Sequence, residues 1–365
     1  MDIRATTERI LRGCIIPSDS GVNMYTPDGM ANYAALWTRD FFYMVDDAGE
    51  MIPLDDIKNG IQYLLDALRE DGWAPDRVDK HGTPFYTAGN GNFPASPNLD
   101  NGCFLCLLAD RYLGRLSPDE AEAQFKIWQK DLCRTLDCLP TAEDGTMLNV
   151  ATPPHSGYGF TDTVRKTGKL CFETLLLWQA KRAMIPWLGR VGADASRYKA
   201  DCRAIEGAFE ALFLMEDGTL RAATELCAQT DVWAMCYAVS IGFPLSKTVG
   251  YRFADWLTEH YDTVTQNGQL RHLPADTFWE STFIPVPHGE YQNGAFWATP
   301  LRWLYDTLAP WRLALADHAI GEALRYFEEQ GIFECVNGDY KKLDTYVASA
   351  TAVYAACKKS DRYRP

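Results

Sequence analysis

The chain has 365 residues, 47% hydrophobic, 13% aromatic and 23% charged, with a formal net charge of −14. That is ample for a large core and is neither a disordered nor a membrane composition. The negative balance excludes a nucleic-acid face, which must be basic to meet phosphates; it disfavours an anionic membrane surface and reads as that of a soluble protein.

The first residues, MDIRATTERILRGC, carry neither an apolar stretch nor a small-residue cleavage site, so no signal peptide is expected. Helical periodicity then predicts, in chain order, Asp2–Gly13, Thr38–Ala48, Leu54–Asp71, Asn98–Leu113, Ser117–Leu139, Gly168–Met184, Asp194–Phe213, Ala228–Ile241, Leu245–His260, Gly294–Leu308, Pro310–Gln330 and Thr345–Cys357. The first, third and every second one after that are amphipathic, with a charged face, and belong outside with one stripe buried. The alternate ones are apolar nearly all round and belong inside. No window is long and apolar enough to span a bilayer.

Turns recur at Asp71-Gly72, Asp144-Gly145, Asp217-Gly218, Asn267-Gly268 and Gln330-Gly331, at glycine-to-glycine steps of 73, 73, 50 and 63. Units of that length each hold two helices plus long loops. Six inner helices ringed by six outer ones make an all-α toroid, an (α/α)6 barrel. It is read as a single domain over 1–365, because no linker, charge run or low-complexity tract divides the chain. The long segments Asp71–Leu99, Asn149–Thr161 and Arg271–Tyr291 lead into inner helices and are expected to carry function. Eleven cysteines, an odd number set mostly in apolar helical patterns, suit buried thiols in a reducing cytoplasm. Cys103 and Cys106 form a C-x-x-C inside a helix with no second pair, so core packing is preferred to zinc or redox chemistry.

Each inner helix is preceded by polar and aromatic residues: Trp37-Thr38-Arg39-Asp40, Asn98-Leu99-Asp100-Asn101, Gly159-Phe160-Thr161-Asp162-Thr163, Ala223-Thr224-Glu225 with Asp231, Glu290-Tyr291-Gln292-Asn293-Gly294, and Lys342-Leu343-Asp344-Thr345. Helix capping accounts for about half of them, but not for the indoles, phenols and arginine. Carboxylates and amides that hold hydroxyls, beside rings that stack on sugar C–H faces, match a carbohydrate site.

The run Trp37-Thr38-Arg39-Asp40-Phe41-Phe42-Tyr43 resembles the W-x-R-D signature at the first hairpin of six-hairpin glycosidases. Gly159-Phe160-Thr161-Asp162 resembles the third-hairpin element of glycoside hydrolase family 63, which carries the general acid. Tyr291-Gln292-Asn293-Gly294-Ala295-Phe296-Trp297 resembles its Y-W-x-G-P-I-W element. Ile332-Phe333-Glu334-Cys335 with Gly338 resembles the element that carries the general base. The resemblance implies an inverting glycoside hydrolase with two carboxyl groups roughly 6.5–9.5 Å apart, Asp162 as acid and Glu334 as base. Around Asp162, Tyr158, Phe160 and Val164 would raise its pKa, whereas Arg165 and Lys166 would lower it. Glu290 rivals Glu334, and Glu225 or Asp231 rivals Asp162. Arg39, Asp40, Asp100, Asn293 and Asp344 read as hydroxyl binders; Trp37, Trp73, Tyr158, Trp233, Trp279, Tyr291 and Trp297 read as stacking candidates.

No G-x-S-x-G, P-loop, H-E-x-x-H or strand-borne G-x-G-x-x-G is present, and the six histidines lack metal spacing, so no metal or cofactor is expected. The reading is a cytoplasmic glycosidase acting on a small, α-linked glucoside or oligosaccharide, with no nucleic-acid or membrane partner. Three alternatives stand beside it. A sugar epimerase or isomerase would use the loop histidines His155, His272 and His288. An inverting phosphorylase would need cations, and Arg39, Arg165 and Lys166 are the obvious ones. A non-catalytic sugar-binding scaffold would leave many carboxylates desolvated for nothing.

Overall fold

The structure, a computed structural model, describes residues 1–89 and 93–365. Its helices are α1 (Ile3–Gly13), α2 (Thr38–Ala48), α3 (Leu54–Leu65), α4 (Asn101–Leu113), α5 (Pro118–Asp137), α6 (Cys171–Arg190), α7 (Ser196–Phe213), α8 (Val232–Ser240), α9 (Lys247–Glu259), the single turn α10 (Tyr261–Val264), α11 (Leu301–Gln330) and α12 (Val347–Lys359). Inner helices meet in the cyclic order α2, α4, α6, α8, the first part of α11, α12 and back to α2, closing the ring. The outer helices α1, α3, α5, α7 and α9 pack against this ring. This is the (α/α)6 toroid that the alternation of helix types predicts. No helix among the described residues is long and apolar enough to cross a membrane.

The five turn glycines, Gly72, Gly145, Gly218, Gly268 and Gly331, all have φ between 69° and 103°. Side chains with a Cβ rarely adopt that region, so the Asp-Gly signal marked real chain reversals. Several boundaries move. The predicted helix from Ala228 starts at Val232, because Asp231 caps it by accepting from the Ala234 N–H at 3.0 Å. The predicted helix from Gly294 starts at Leu301, because Leu270 and Trp297 exchange backbone bonds of 2.8 and 3.0 Å in extended conformation. The same helix and the next outer one form a continuous run, kinked at Arg312 (φ −139°) just after Pro310. Helix α6 runs through Pro186 to Arg190; buried Trp187, whose Nε1 donates to Asp110 at 2.8 Å, holds the added turn.

The inside of the ring is filled rather than open. Phe172 stacks on Tyr158 at 4.0 Å and on Tyr237 at 4.6 Å, and Tyr237 meets Trp303 at 4.9 Å. Above this plug, the segments leading into the inner helices form short antiparallel pairs, among them the hairpin Phe333–Asn337 with Tyr340–Asp344. Isolated bridges such as Ser96 to His155, Val164 to Thr282, Phe296 to Val336 and Asp28 to Tyr346 link neighbouring segments around one mouth. All eleven cysteines are unpaired, and Cys103 and Cys106 are fully buried on α4.

Candidate active site

The first turn of α2 points into the mouth. It is held there by the Thr38 N–H, which donates to Asp76 O at 2.9 Å, and by the Thr38 hydroxyl, which donates to Pro75 O at 2.6 Å. Arg39 and Asp40 follow, both buried. Arg39 Nη1 pairs with Asp100 Oδ2 at 3.0 Å and Nη2 lies 3.6 Å from Asp76 Oδ1. Asp100 Oδ2 also accepts from the Gly159 N–H at 2.8 Å. One guanidinium and one carboxylate therefore tie the first, second and third hairpins together.

A cavity of about 250 Å³ opens over this knot. Trp37, Arg39, Asp40, Phe160, Asp162, Tyr291 and Glu334 are among the residues that line it, together with Tyr33, Lys342 and Tyr346. Phe160 forms the floor, against Tyr43, Trp233 and Trp297, with the Arg39 guanidinium 5.6 Å from its ring centre. Gly159 lies directly under that guanidinium: a Cβ there would fall inside it. Gly159→Ala is expected to push Arg39 off Asp100, at a cost of about 1–3 kcal/mol for overpacking. Thermal unfolding would check it; an unchanged Tm would mean that the loop yields freely.

The two candidate catalytic carboxyls face this one cavity from separate hairpins. Asp162 is pushed up to about 7 by burial, against the opposing pull of Arg39 and of a hydrogen bond from Gln292. Glu334 is also raised to about 7 by burial, against Lys342 and a bond from Tyr33, while the charges of Asp40 and Asp162 push it further. The Tyr33 hydroxyl lies 3.4 Å from both Glu334 oxygens, and Lys342 Nζ lies 3.6 Å from Oε2. Burial thus raises both carboxyls that line the cavity, and the charge of Asp162 adds to the rise at Glu334. Asp40 accepts from the Tyr346 hydroxyl at 2.8 Å.

Backbone strain gathers here as well. Among non-glycine residues with left-handed backbone, Tyr291 (φ 42°) lines the cavity, and Ala31 (58°), Leu343 (49°) and Thr345 (58°) lie within two residues of Tyr33, Lys342 and Tyr346. Strain of this kind persists where surrounding structure over-determines a functional geometry.

Several residues read from the sequence as binders lie outside the cavity lining. Asp100 is fully buried, and its Oδ2 is held by Arg39 and Gly159. Tyr158 donates to or accepts from Tyr43 at 2.8 Å and is stacked in the plug. Asn293 is consumed by the Trp279 N–H and Val286 O, both at 2.9 Å. Trp297 is core, between Phe160 and Trp233. Glu290 is partly buried beside Tyr340 and Cys335, and its charge bears on them. Asp344 is exposed and accepts from the Thr345 N–H at 2.7 Å; left-handed Leu343 turns the strand, so Asp344 does not continue the face of Lys342.

The rivals also sit elsewhere. Asp231 caps α8, and Glu225 accepts from Thr167 at 3.2 Å. Lys166 is buried in an ion pair with Glu173 at 2.6 Å, and Arg165 reaches Ala151 O. His155 bonds Pro97 O at 2.7 Å, His288 stacks on Phe278, and His272 is buried on Trp233 at 3.7 Å; none is among the described residues that line the cavity. Missed from sequence were Tyr33 and Tyr346, and Lys342, named in the last mouth segment, was not read as a cavity cation. Only Lys342 left a signal, as a cation on the hairpin that follows Glu334.

No family model and no curated protein matches the sequence. Solved structures do. A family 63 mannosylglycerate hydrolase from Thermus thermophilus, in complex with glucose, is similar over 97% of this chain and 99% of its own, with a TM-score of 0.70 and 14% identity. A glucoamylase from Hormoconis resinae covers 99% of this chain with 73% of its own, at a TM-score of 0.68 and 14% identity. A rhamnosidase from Klebsiella oxytoca covers 98% with 63% of its own, at a TM-score of 0.66 and 13% identity. The chain therefore has the fold of the six-hairpin glycosidases.

Proposed function

We propose that the chain is an inverting glycoside hydrolase, acting as one catalytic unit on a small α-linked glucoside or related glycoside. The observation that carries the reading is the pair Asp162 and Glu334, two carboxyls raised to about 7 in one cavity and delivered by different hairpins. Asp162 protonates the leaving oxygen; Glu334, beside the Lys342 cation that favours its ionised form, takes a proton from the attacking water. Asp40 and Arg39 bind sugar hydroxyls, and Trp37 and Tyr291 offer ring faces. The cavity is just below the ~300–1,000 Å³ usual for ligand pockets, which favours one sugar and a short aglycone. Eleven free thiols suit action in a reducing cytoplasm.

The other readings find less support. The three loop histidines lie off the cavity, and among the described residues Lys342 is the only lining cation besides the already paired Arg39. The test is hydrolysis of aryl α-glucosides, α-mannosides and β-glycosides and of small disaccharides, with the released anomer followed by NMR. Because Lys342 faces the cavity, and the similar Thermus protein is a mannosylglycerate hydrolase, the set includes glycosides of carboxylate-bearing aglycones. Inverted product is expected. Ketose or epimer without a new reducing end, or strict dependence on phosphate, would replace hydrolysis with isomerisation or phosphorolysis.

The pH dependence has a defined sign. The base must be ionised, so activity falls as pH drops below the lower apparent pKa of the pair. The acid must be protonated, so activity falls as pH rises above the upper one. A bell-shaped kcat/KM profile centred near neutrality is expected; a flat profile between about pH 5 and 9 would remove the carboxyl pair from catalysis.

A further inference from the structure

The Gln292 side chain is fully buried and all its hydrogen-bonding capacity is used. Its Oε1 accepts from the Thr163 N–H at 2.9 Å and from the Thr163 hydroxyl at 2.6 Å. A backbone N–H can only donate, so the atom facing it must be the amide oxygen, and the orientation of the carboxamide is fixed. Its Nε2 then donates to Gly159 O and to Asp162 Oδ1, both at 2.9 Å. The backbone behind it is held by Trp279 Nε1, which donates to Gln292 O at 2.8 Å. An N–H group already occupies Oδ1, and protonating that oxygen would weaken it as the acceptor of this bond, so the proton is favoured on Oδ2. Asp162 Oδ2 has no hydrogen-bond partner among the described residues and belongs to a residue that lines the cavity.

We propose that Gln292 is a positioning residue: its locked carboxamide occupies Oδ1 of Asp162 and so confines the acid's proton to Oδ2, the oxygen left for the glycosidic oxygen. The proton passes from Oδ2 to the leaving oxygen as the C–O bond breaks, and the carboxylate formed keeps the Gln292 hydrogen bond on Oδ1. This rests on the reading of Asp162 as general acid.

The experiment compares wild type, Gln292→Met, Gln292→Glu and Asp162→Asn on an alkyl or disaccharide glycoside and on the matching α-glycosyl fluoride, whose leaving group needs no proton. Gln292→Met removes donor and acceptor; Gln292→Glu keeps an acceptor for Thr163 but turns a second acceptor toward Gly159 O and Asp162 Oδ1, so thermal unfolding of both variants is measured alongside to exclude misfolding. For both Gln292 variants, kcat on the poor leaving group is expected to fall about 10–100-fold, with KM little changed and the fluoride rate nearly retained. Loss of the donor to the charged form should also move the basic limb of the pH profile upward, by about one unit. A merely structural role would lower both substrates alike and leave the limb in place, and that result overturns the proposal. If Asp162→Asn shows no difference between the two leaving groups, the assignment of the acid fails first and the proposal with it. If Asp162→Asn does show it and neither Gln292 variant does, only the proposal falls.

Discussion

Asp162→Asn and Glu334→Gln are each expected to lower kcat on glycosides with poor leaving groups by about 10²–10⁴-fold, the range that a positioned general acid or base contributes. The two losses should differ in kind. The acid variant recovers when the leaving group departs unaided. The base variant does not, because water attack is still unassisted. Neither should cost stability above neutral pH. Each carboxyl is raised from its ordinary value by burial, so the folded state binds a proton more tightly than the unfolded one. Stability is then full below the unfolded pKa, near about 4, and falls as pH rises through about 7. An uncharged amide removes that dependence, and the variants should melt at or above the wild-type temperature at about pH 8. Calorimetry beside kinetics separates the cases. An inactive variant that is also less stable at that pH has lost structure, and an active one has the wrong residue.

Fold and site were legible to different degrees, for physical reasons. The alternation of one-sided and all-round apolar helices follows from what a ring buries, and periodicity reads it directly. Left-handed turns demand glycine, so Gly72 and Gly145 stood out. Polarity at a helix entrance is different, because capping, hairpin anchoring and ligand binding all ask for Asp, Asn and Thr. Asp40 and Asp100 look alike in sequence; only the convergence of Gly159 and Arg39 on Asp100 Oδ2 shows that this carboxylate anchors the hairpins. Tyr33 and Tyr346 reach the cavity through the left-handed residues Ala31 and Thr345, conformations that carry no residue-type signature. Gln292 was visible within its motif, but its partner Asp162 lies 130 residues away.

The largest stability effect is expected at Arg39. It is buried, paired with Asp100, close to Asp76, and within range of the charges on Asp40 and Asp162. Removing one partner of a buried ion pair leaves uncompensated charge and costs about 3–5 kcal/mol. Arg39→Met should therefore lower Tm at about pH 8 by roughly 6–10 °C. The loss should shrink toward about pH 4, where the carboxyls of the unfolded chain also take up protons and neutralising the abandoned pair no longer costs stability. Arg39→Lys should rescue only part of it, since a single ammonium cannot address two carboxylates as the guanidinium fork does. Asp100→Asn in the Arg39→Met background should restore stability, because it removes the charge that the first substitution stranded. Arg39 is also the leading opponent of burial at Asp162, so its loss raises that carboxyl and carries the basic limb of the activity profile upward. Arg39→Met melting like wild type under the same alkaline conditions would show that Asp76 and Asp100 are neutral in the native protein, and the knot would then be a set of hydrogen bonds rather than an ion pair.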